Sequence, residues 1–217
     1  MTSIKRLLLA TDFSELAHRA ESYACALAAS WGADLSVITV LDFPPGMNPE
    51  YIVNKRYLTE LMSEASAKLT EFKRQAHQRG IAATIRIATG IPNEEVIAAA
   101  HPEETDLIIV GTRGKSGLAH VLLGSTAERV IRMAPCPVLA VHTTKAEGPA
   151  EEGISLDRIL VPTDLSDCSL VAVKYAGVVA LQAKASIELL HIMEPAYYGI
   201  DFAMESRAER EQKRRVT

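Results

Sequence analysis

Residues 105–141, TDLIIVGTRGKSGLAHVLLGSTAERVIRMAPCPVLAV, decide the fold, because they hold a strand, a glycine-rich loop, a helix and a second strand in succession. The apolar run TDLIIVG (105–111) predicts a buried strand, and STAERVIRMA (125–134) has helical periodicity. CPVLAVHT (136–143) predicts the next strand. Both strands are apolar throughout rather than at alternate positions, which is typical of a parallel sheet covered on both faces.

The residues before this stretch show the same alternation of strand and helix. Strands are predicted over 4–11, 34–42 and 81–90, and helices over 14–33, 51–79 and from Pro92 to His101. Gly32 and Gly80 are expected to end the first two helices, and Pro92 suits the first turn of the third. Strictly alternating elements of this kind predict an α/β fold, with ligands bound at the carboxyl ends of the strands.

The chain also repeats itself at one fixed offset, which indicates a duplication. Residues 5–43 align without a gap to residues 157–195, and the matched pairs include Thr11 with Thr163, Asp12 with Asp164, Ser14 with Ser166, Tyr23 with Tyr175, Ala24 with Ala176, and Ala33 with Ala185. The second copy contains a strand, a helix and a strand, and then a charged run, ESRAEREQKRRVT. We therefore expect a complete domain over 1–143, a linker over 144–156 and a partial second domain over 157–217.

The partial second copy raises the question of what covers its sheet. Without its later strands, that sheet would expose an apolar edge, which favours aggregation. Coverage by a second chain, coverage by the first domain and simple truncation of the gene are three explanations that the sequence leaves open.

Composition restricts the function classes. The chain is 48% hydrophobic with a formal net charge of −4, so it lacks the strongly basic character of a nucleic-acid-binding domain. No apolar stretch approaches the length of a membrane span. Cys25, Cys136 and Cys168 are scattered, and we expect buried, inert thiols in a reducing cytoplasm.

Gly114-Lys115-Ser116 has the letters that end a P-loop, but the rest of that motif is missing. A P-loop requires a glycine five places before the Gly-Lys pair, and Ile109 stands there, inside a predicted strand. The segment is therefore not a P-loop.

The remaining pattern is Gly111-x-x-Gly114, nine residues, and then Gly124-Ser125. Glycines at a strand end let a ligand approach the backbone, and the first N–H groups of the next helix favour a phosphate. The hydroxyls of Ser125 and Thr126 would add donors, and Arg113 or Lys115 would offset phosphate charge. From the spacing alone, an alternative stays open in which the glycines only form turns and Ser125 only caps a helix.

Asp12 follows the first strand directly. In a sheet ordered 3-2-1-4-5, strands one and four flank the point where the strand order reverses, so Asp12 would face Gly111. A carboxylate there suits ribose hydroxyls or a metal carried by phosphates. The alternative is helix capping, because Asp12 and Ser14 both precede a helix and Glu15 could reach back.

Together, LLLATDFSELA (7–17) and IIVGTRGKSGLAHVLLGSTAERVIRMAPCPVLAV (108–141) resemble the universal stress protein family. The G-x-x-G-x9-G-[ST] pattern is similar to that of the members that bind ATP or AMP. The resemblance covers residues 4–142, and it covers 157–194 as a partial second domain, as in tandem members. It implies an open parallel sheet of five strands in the order 3-2-1-4-5 with helices on both faces, an adenine nucleotide alpha hydrolase-like and Rossmann-like fold.

The same resemblance implies a set of nucleotide contacts. Ala10, Thr11 and Asp12 would line the nucleoside side, Val40 would contact adenine through its backbone, Val110, Gly111, Arg113 and Gly114 would hold the ribose and first phosphates, and Gly124, Ser125 and Thr126 would hold the outer phosphates. A magnesium ion could be bound through Asp12. Because the second copy keeps Thr163 and Asp164 but has no glycine segment, we expect one nucleotide site per chain. The strand over 136–143 is expected to pair two chains into a homodimer.

No pairing of a histidine with a Ser or Cys nucleophile stands at a recognisable spacing, so an enzyme is not the expected class. The sequence favours a cytoplasmic, ATP-binding stress-response sensor that acts through dimerisation and partner binding. A nucleotide-independent interaction module and a slow ATP hydrolase are the alternatives.

Overall fold

The computed structural model describes residues 3–42, 52–101, 103–112, 123–142, 154 and 156–193. Within the first copy, the described residues form β1 (Arg6–Ala10), α1 (His18–Trp31), β2 (Asp34–Leu41), α2 (Ile52–Gln78), β3 (Ala83–Thr89), α3 (Pro92–Ala99), β4 (Leu107–Gly111), α4 (Ser125–Met133) and β5 (Val138–Val141). The second copy adds β6 (Arg158–Pro162), α5 (Asp167–Ala183) and β7 (Ser186–Leu190). The charged run over 205–217 and most of the linker lie outside these ranges.

The five strands of the first copy form one sheet in the order β3-β2-β1-β4-β5, and every neighbouring pair is parallel. Leu9 at the centre of the sheet pairs with Val37 on one side and Ile109 on the other. The predicted α/β fold and strand order are confirmed. The order reverses between β1 and β4, so a crevice opens at their carboxyl ends.

The two faces of this sheet are covered by different helices. Leu7 and Leu9 belong to a cluster with residues of α1 and α2, whereas Leu8 belongs to a second cluster with Val96 of α3 and Val130 of α4. Burial of each such aliphatic side chain stabilises the fold by about 1.5–3 kcal/mol. Because successive residues of a strand point to opposite faces, a strand between two layers must be apolar throughout.

The helix ends follow the predictions with one exception. Gly32 and Gly80 have positive φ angles of 57° and 74°, and they end α1 and α2 as predicted. The predicted start of the first helix at residue 14 is wrong, because α1 begins at His18. The Ser14 carbonyl accepts the Ala17 N–H at 2.9 Å, so residues 15–17 form a separate turn before the helix.

The helix of the second copy packs on the first copy. Tyr175 and Val178 of α5 lie against the core beside α1. The Gln182 side chain binds the backbone of Ile4 twice: Oε1 accepts the Ile4 N–H at 2.8 Å, and Nε2 donates to the Ile4 carbonyl at 2.7 Å. The first domain therefore covers one face of α5.

The strands of the second copy remain a separate parallel pair. Strands β6 and β7 form a two-stranded sheet, and they carry exposed apolar side chains such as Leu160 (57% exposed) and Leu189 (58% exposed). Apolar side chains of the second copy are thus left exposed among the described residues.

The cysteines differ in exposure. Cys25 is buried and Cys136 is half-buried, and burial raises the pKa of both thiols. Cys168 is exposed in the first turn of α5, so the expectation of three buried thiols is wrong for that residue. Among the helices that the structure describes, none is long and apolar enough to cross a membrane.

Candidate functional site

A cleft with a volume of about 410 Å³ opens at the carboxyl ends of β1, β2 and β4. Its floor and walls are formed by Ala10, Thr11, Asp12, Ala17, Ile38, Val40, Leu41, Asp42, Tyr57, Leu61, Pro92, Val96, Val110, Gly111, Thr112, Gly124, Thr126 and Ala127. The cleft therefore lies where the strand order reverses, which is the position expected for a ligand in an open α/β sheet.

The structure brings most of the predicted site residues to this one cleft. Ala10, Thr11, Asp12, Val40, Val110, Gly111, Gly124 and Thr126 all line it. Ser125 is the first residue of α4, is exposed, and is not part of the wall. Arg113 and Gly114 lie outside the described residues.

Gly124 lets the N-terminus of α4 approach the carboxyl end of β4. Its N–H donates to the Thr112 carbonyl at 2.8 Å, and a Cβ at this position would lie 3.3 Å from the same oxygen. Its φ of −70° and ψ of 153° are ordinary for any residue, so the close backbone approach, rather than the conformation, favours glycine here. The helix makes no side-chain cap at this end, so the alternative that Ser125 acts only as a cap is not observed.

The start of α4 offers donors to the cleft. In any α-helix the first N–H groups have no acceptor within the helix. Here these groups belong to the residues that follow Gly124, and Thr126 and Ala127 are cleft residues. The positive end of the helix dipole adds to the attraction for an anion.

The loop between β1 and α1 places a carboxylate on the other side of the cleft. Asp12 Oδ1 accepts the Ser14 N–H at 2.9 Å, and Asp12 also lines the cleft. The alternative that Asp12 caps the helix is not observed, because the N-cap of α1 is Ala17 and has no side-chain cap; Asp12 closes a turn ahead of the helix and lines the cleft. Phe13 has a φ of 55°, a left-handed conformation that is uncommon for a residue with a side chain.

Several wall residues were not predicted from the sequence. Tyr57 and Leu61 project from α2, while Pro92 and Val96 come from α3. Asp42 ends the wall above β2. Asp42 comes directly after β2, much as Asp12 comes just after β1. This position at the carboxyl end of a strand could have identified Asp42 as a cleft residue from the sequence. The helix residues had no such signal, because their approach depends on how α2 and α3 pack.

The metal chemistry of the cleft is limited to a few carboxylates. Among the described residues, no group of three or more His, Cys, Asp or Glu side chains is arranged to hold a metal ion. Asp12 and Asp42 both line the cleft. Magnesium in nucleotide sites is commonly held by one or two carboxylates together with phosphate oxygens, so this donor set fits an ion that arrives with a nucleotide.

Comparison with known proteins identifies relatives of similar architecture. The model of the universal stress protein family matches residues 3–142 and 155–216, in two segments that correspond to the internal repeat. Universal stress protein MJ0531 of Methanocaldococcus jannaschii is 34% identical over 144 residues, which cover 66% of this chain and 85% of that protein.

Two solved structures show the same fold. MJ0577 of Methanocaldococcus jannaschii is 31% identical, with 65% of this chain and 99% of that chain covered and a TM-score of 0.58. A universal stress protein from Archaeoglobus fulgidus covers 97% of this chain and 72% of its own length with a TM-score of 0.68, and at 24% identity it supports the fold alone. Because the family model matches both copies of the repeat and most of the length, the chain belongs to the universal stress protein family.

Proposed function

We propose that the cleft binds an adenine nucleotide, ATP or AMP, and that its occupancy regulates dimerisation and partner binding in a stress response. One observation carries the proposal: a single cleft joins the Asp12 carboxylate to the Gly124 backbone at the mouth of α4. A carboxylate at one end and helix N–H groups at the other suit a ligand with hydroxyls at one end and phosphates at the other.

The size and lining of the cleft support a nucleotide. Its volume of about 410 Å³ lies within the usual range for small-molecule sites, roughly 300–1,000 Å³. Ile38, Leu61 and Val96 supply apolar wall for a base, and the polar groups are concentrated around Asp12 and Gly124.

The proposed contacts follow the geometry of the cleft and the resemblance stated above. Asp12 would bind ribose hydroxyls or a magnesium ion, and Val40 would contact adenine through its backbone. Gly111, Gly124 and Thr126 would approach the phosphates, together with Arg113, Gly114 and Ser125. One site per chain is proposed, because the glycine segment occurs only in the first copy.

The dimer is proposed to form through the edge of the five-stranded sheet. Strand β5 is Val138–Val141, shorter than the predicted 136–143, and it pairs with β4 on one side. Its outer edge carries backbone groups that a second β5 could bind. Occupancy of the nearby cleft would then influence the arrangement of the two chains.

A second candidate function is a nucleotide-independent interaction module. The exposed apolar side chains on β6 and β7 favour it, because apolar surface left uncovered on a small sheet is available to an interaction partner. In that case nucleotide would bind without altering assembly. A slow ATP hydrolase is the third candidate, and turnover measured against a cleft variant would identify it.

Titration calorimetry with ATP and with AMP, each with and without magnesium, tests the main proposal. We expect one equivalent per chain and a loss of at least about tenfold in affinity for Gly124→Val, which corresponds to about 1.4 kcal/mol. Gly177→Ala is the matched control, because a Cβ at Gly177 meets nothing within 4 Å and this glycine lies in α5, away from the cleft.

Three results would contradict the proposal. They are absence of binding to the wild-type chain, unchanged affinity in Gly124→Val, and binding of two equivalents per chain. Light scattering with and without ATP separates the regulatory function from the interaction module, since only the former requires assembly to depend on the nucleotide.

A further inference from the structure

A chain of three hydrogen-bonded side chains runs from the cleft to the protein surface. Thr11 Oγ1 donates to Glu21 Oε1 at 2.5 Å, and His18 Nδ1 lies 2.8 Å from Glu21 Oε2. Thr11 and Glu21 are buried, at 7% and 9% exposure, whereas half of the His18 side chain is exposed. Glu21 does not line the cleft, but it is hydrogen-bonded to Thr11, which does.

Glu21 determines how the Thr11 hydroxyl is used. That hydroxyl has one proton, which it donates to Glu21, and its oxygen accepts the Phe13 N–H at 3.0 Å. The bond to Phe13 closes a tight turn over Asp12, and this turn holds Phe13 at its positive φ. With the proton committed to Glu21, the lone pairs of Thr11 point toward the turn, and Asp12 is held at the cleft.

The second copy of the repeat shows that the turn does not require a buried carboxylate. Thr163 accepts the Leu165 N–H at 3.1 Å, and Leu165 has a φ of 65°, so the turn is the same. The position that corresponds to Glu21 is Val173, and Thr163 pairs with the Ser169 hydroxyl at 3.0 Å instead. The buried carboxylate therefore occurs only in the copy that has the glycine segment and the cleft.

A buried carboxylate is costly unless it is paired, so its presence beneath one turn and not the other calls for a role beyond the turn itself. We infer that Glu21 is a positioning residue for the nucleotide cleft: it fixes the Thr11 hydroxyl and thereby holds Asp12 ready for the ligand. His18 is the outer partner of the same carboxylate. This inference rests on the proposed nucleotide binding.

A double-mutant cycle tests the inference by comparing ATP affinity with thermal stability. The variants are Thr11→Val, Glu21→Val and the pair, and Glu21→Val introduces the residue of the second copy. Glu21→Val is expected to weaken ATP binding about tenfold, because Thr11 loses its acceptor. Glu21→Gln keeps an acceptor for the Thr11 proton and is expected to bind ATP within about threefold of wild type. His18→Leu, which leaves the Thr11–Glu21 bond intact, is expected to have a similarly small effect.

The paired variant separates positioning from simple stabilisation. Replacing both partners of a buried hydrogen bond by apolar groups is often nearly neutral, so its melting temperature is expected to rise above that of Glu21→Val, and it stays below wild type because the Phe13 N–H has lost its acceptor. Its ATP affinity is expected to stay low, and Glu21→Val should add no further loss when Thr11 is already Val. Hydrogen exchange at the Phe13 amide is expected to accelerate at least about tenfold in Glu21→Val, because its acceptor is no longer oriented.

The possible failures are distinguishable. If the wild-type chain binds ATP and Glu21→Val binds it equally well, the inference is wrong and the proposed function stands. If the paired variant regains ATP affinity together with its stability, Glu21 is only structural. If the wild-type chain binds no nucleotide, both the function and the inference are refuted.

Discussion

Asp106 joins the ends of β1 and β4 that lie opposite the cleft, and its removal is the clearest test of how the sheet is held together. Its Oδ2 accepts the backbone N–H groups of Lys5 and Arg6, both at 2.9 Å. The Arg6 guanidinium adds a bond from Nε at 3.2 Å to the same oxygen and one from Nη2 at 2.6 Å to Oδ1. The Asp106 side chain is only 7% exposed.

The expected loss in Asp106→Ala can be worked from these contacts. Two partly buried backbone donors lose their acceptor, at roughly 1 kcal/mol each, for a total of about 2 kcal/mol. The Arg6 side chain is well exposed and solvent replaces much of its interaction, so it adds little. In Asp106→Asn the carbonyl oxygen can still accept the two backbone N–H groups, and the expected loss is about 1 kcal/mol.

The same contacts give a pH dependence. The hydrogen bonds from Arg6, with those from the two backbone groups, lower the pKa of Asp106 from its ordinary 3.8. Because the pKa in the folded state is below that in the unfolded state, the carboxylate contributes its full stabilisation above the unfolded value. That contribution is lost as the pH falls through the folded value.

Urea unfolding at pH 7 and at a series of pH values below 4.5 measures both effects. We expect the wild-type advantage over Asp106→Asn to shrink as the pH falls in this range. Nucleotide affinity should be unchanged in the folded variants, because Asp106 lies at the end of the sheet away from the cleft. A loss below about 1 kcal/mol in Asp106→Ala, or a wild-type advantage that does not change with pH, would refute the reasoning.

Three further predictions concern the second copy and its contact with the first. The Tyr175 hydroxyl is buried without a hydrogen-bond partner among the described residues, and burial raises its pKa, so Tyr175→Phe should increase the free energy of unfolding by about 1 kcal/mol in urea titrations. Gln182→Ala removes both bonds to Ile4 and should cost about 1–2 kcal/mol, and it should speed proteolysis of the second copy relative to the first. Hydrogen bonds from Ser166 lower the pKa of Asp164 to about 2, so Ser166→Ala should raise this pKa toward 3.8 in an NMR titration. An unchanged pKa would show that Ser166 is not its cause.

Much of the fold could be predicted because its signals are local. The apolar side chains of a strand such as Leu107–Gly111 can all be buried only when helices cover both faces of the sheet. Gly32 and Gly80 end their helices by adopting positive φ angles. The error at the start of α1 has a local cause as well. Ser14 has the chemistry of a helix cap, but its carbonyl closes a turn at Ala17, and the helix begins one residue later.

Contacts between distant segments could not be predicted in the same way. Helix α5 carries apolar residues around much of its circumference, so its pattern does not indicate which face is buried. In the structure Tyr175 and Val178 face the core, while Val171 and Leu181 are exposed. The choice between these faces is made by the surface of the first domain, which a pattern confined to one helix cannot describe.

In the candidate site, residues at strand ends could be predicted from the sequence, whereas residues contributed by helices could not. Residues at or just after the carboxyl ends of strands, such as Gly111 and Asp12, could be placed together because parallel strands bring these ends to one edge of the sheet. The position of Tyr57 in the cleft depends on the packing of α2, and Glu21 reaches Thr11 from the first turn of α1. Glu21 stands among apolar neighbours on the buried side of its helix, where a carboxylate is expected only if a specific donor compensates it. Thr11 is that donor, so the unusual residue in the helix and the cleft residue after β1 are explained by one hydrogen bond.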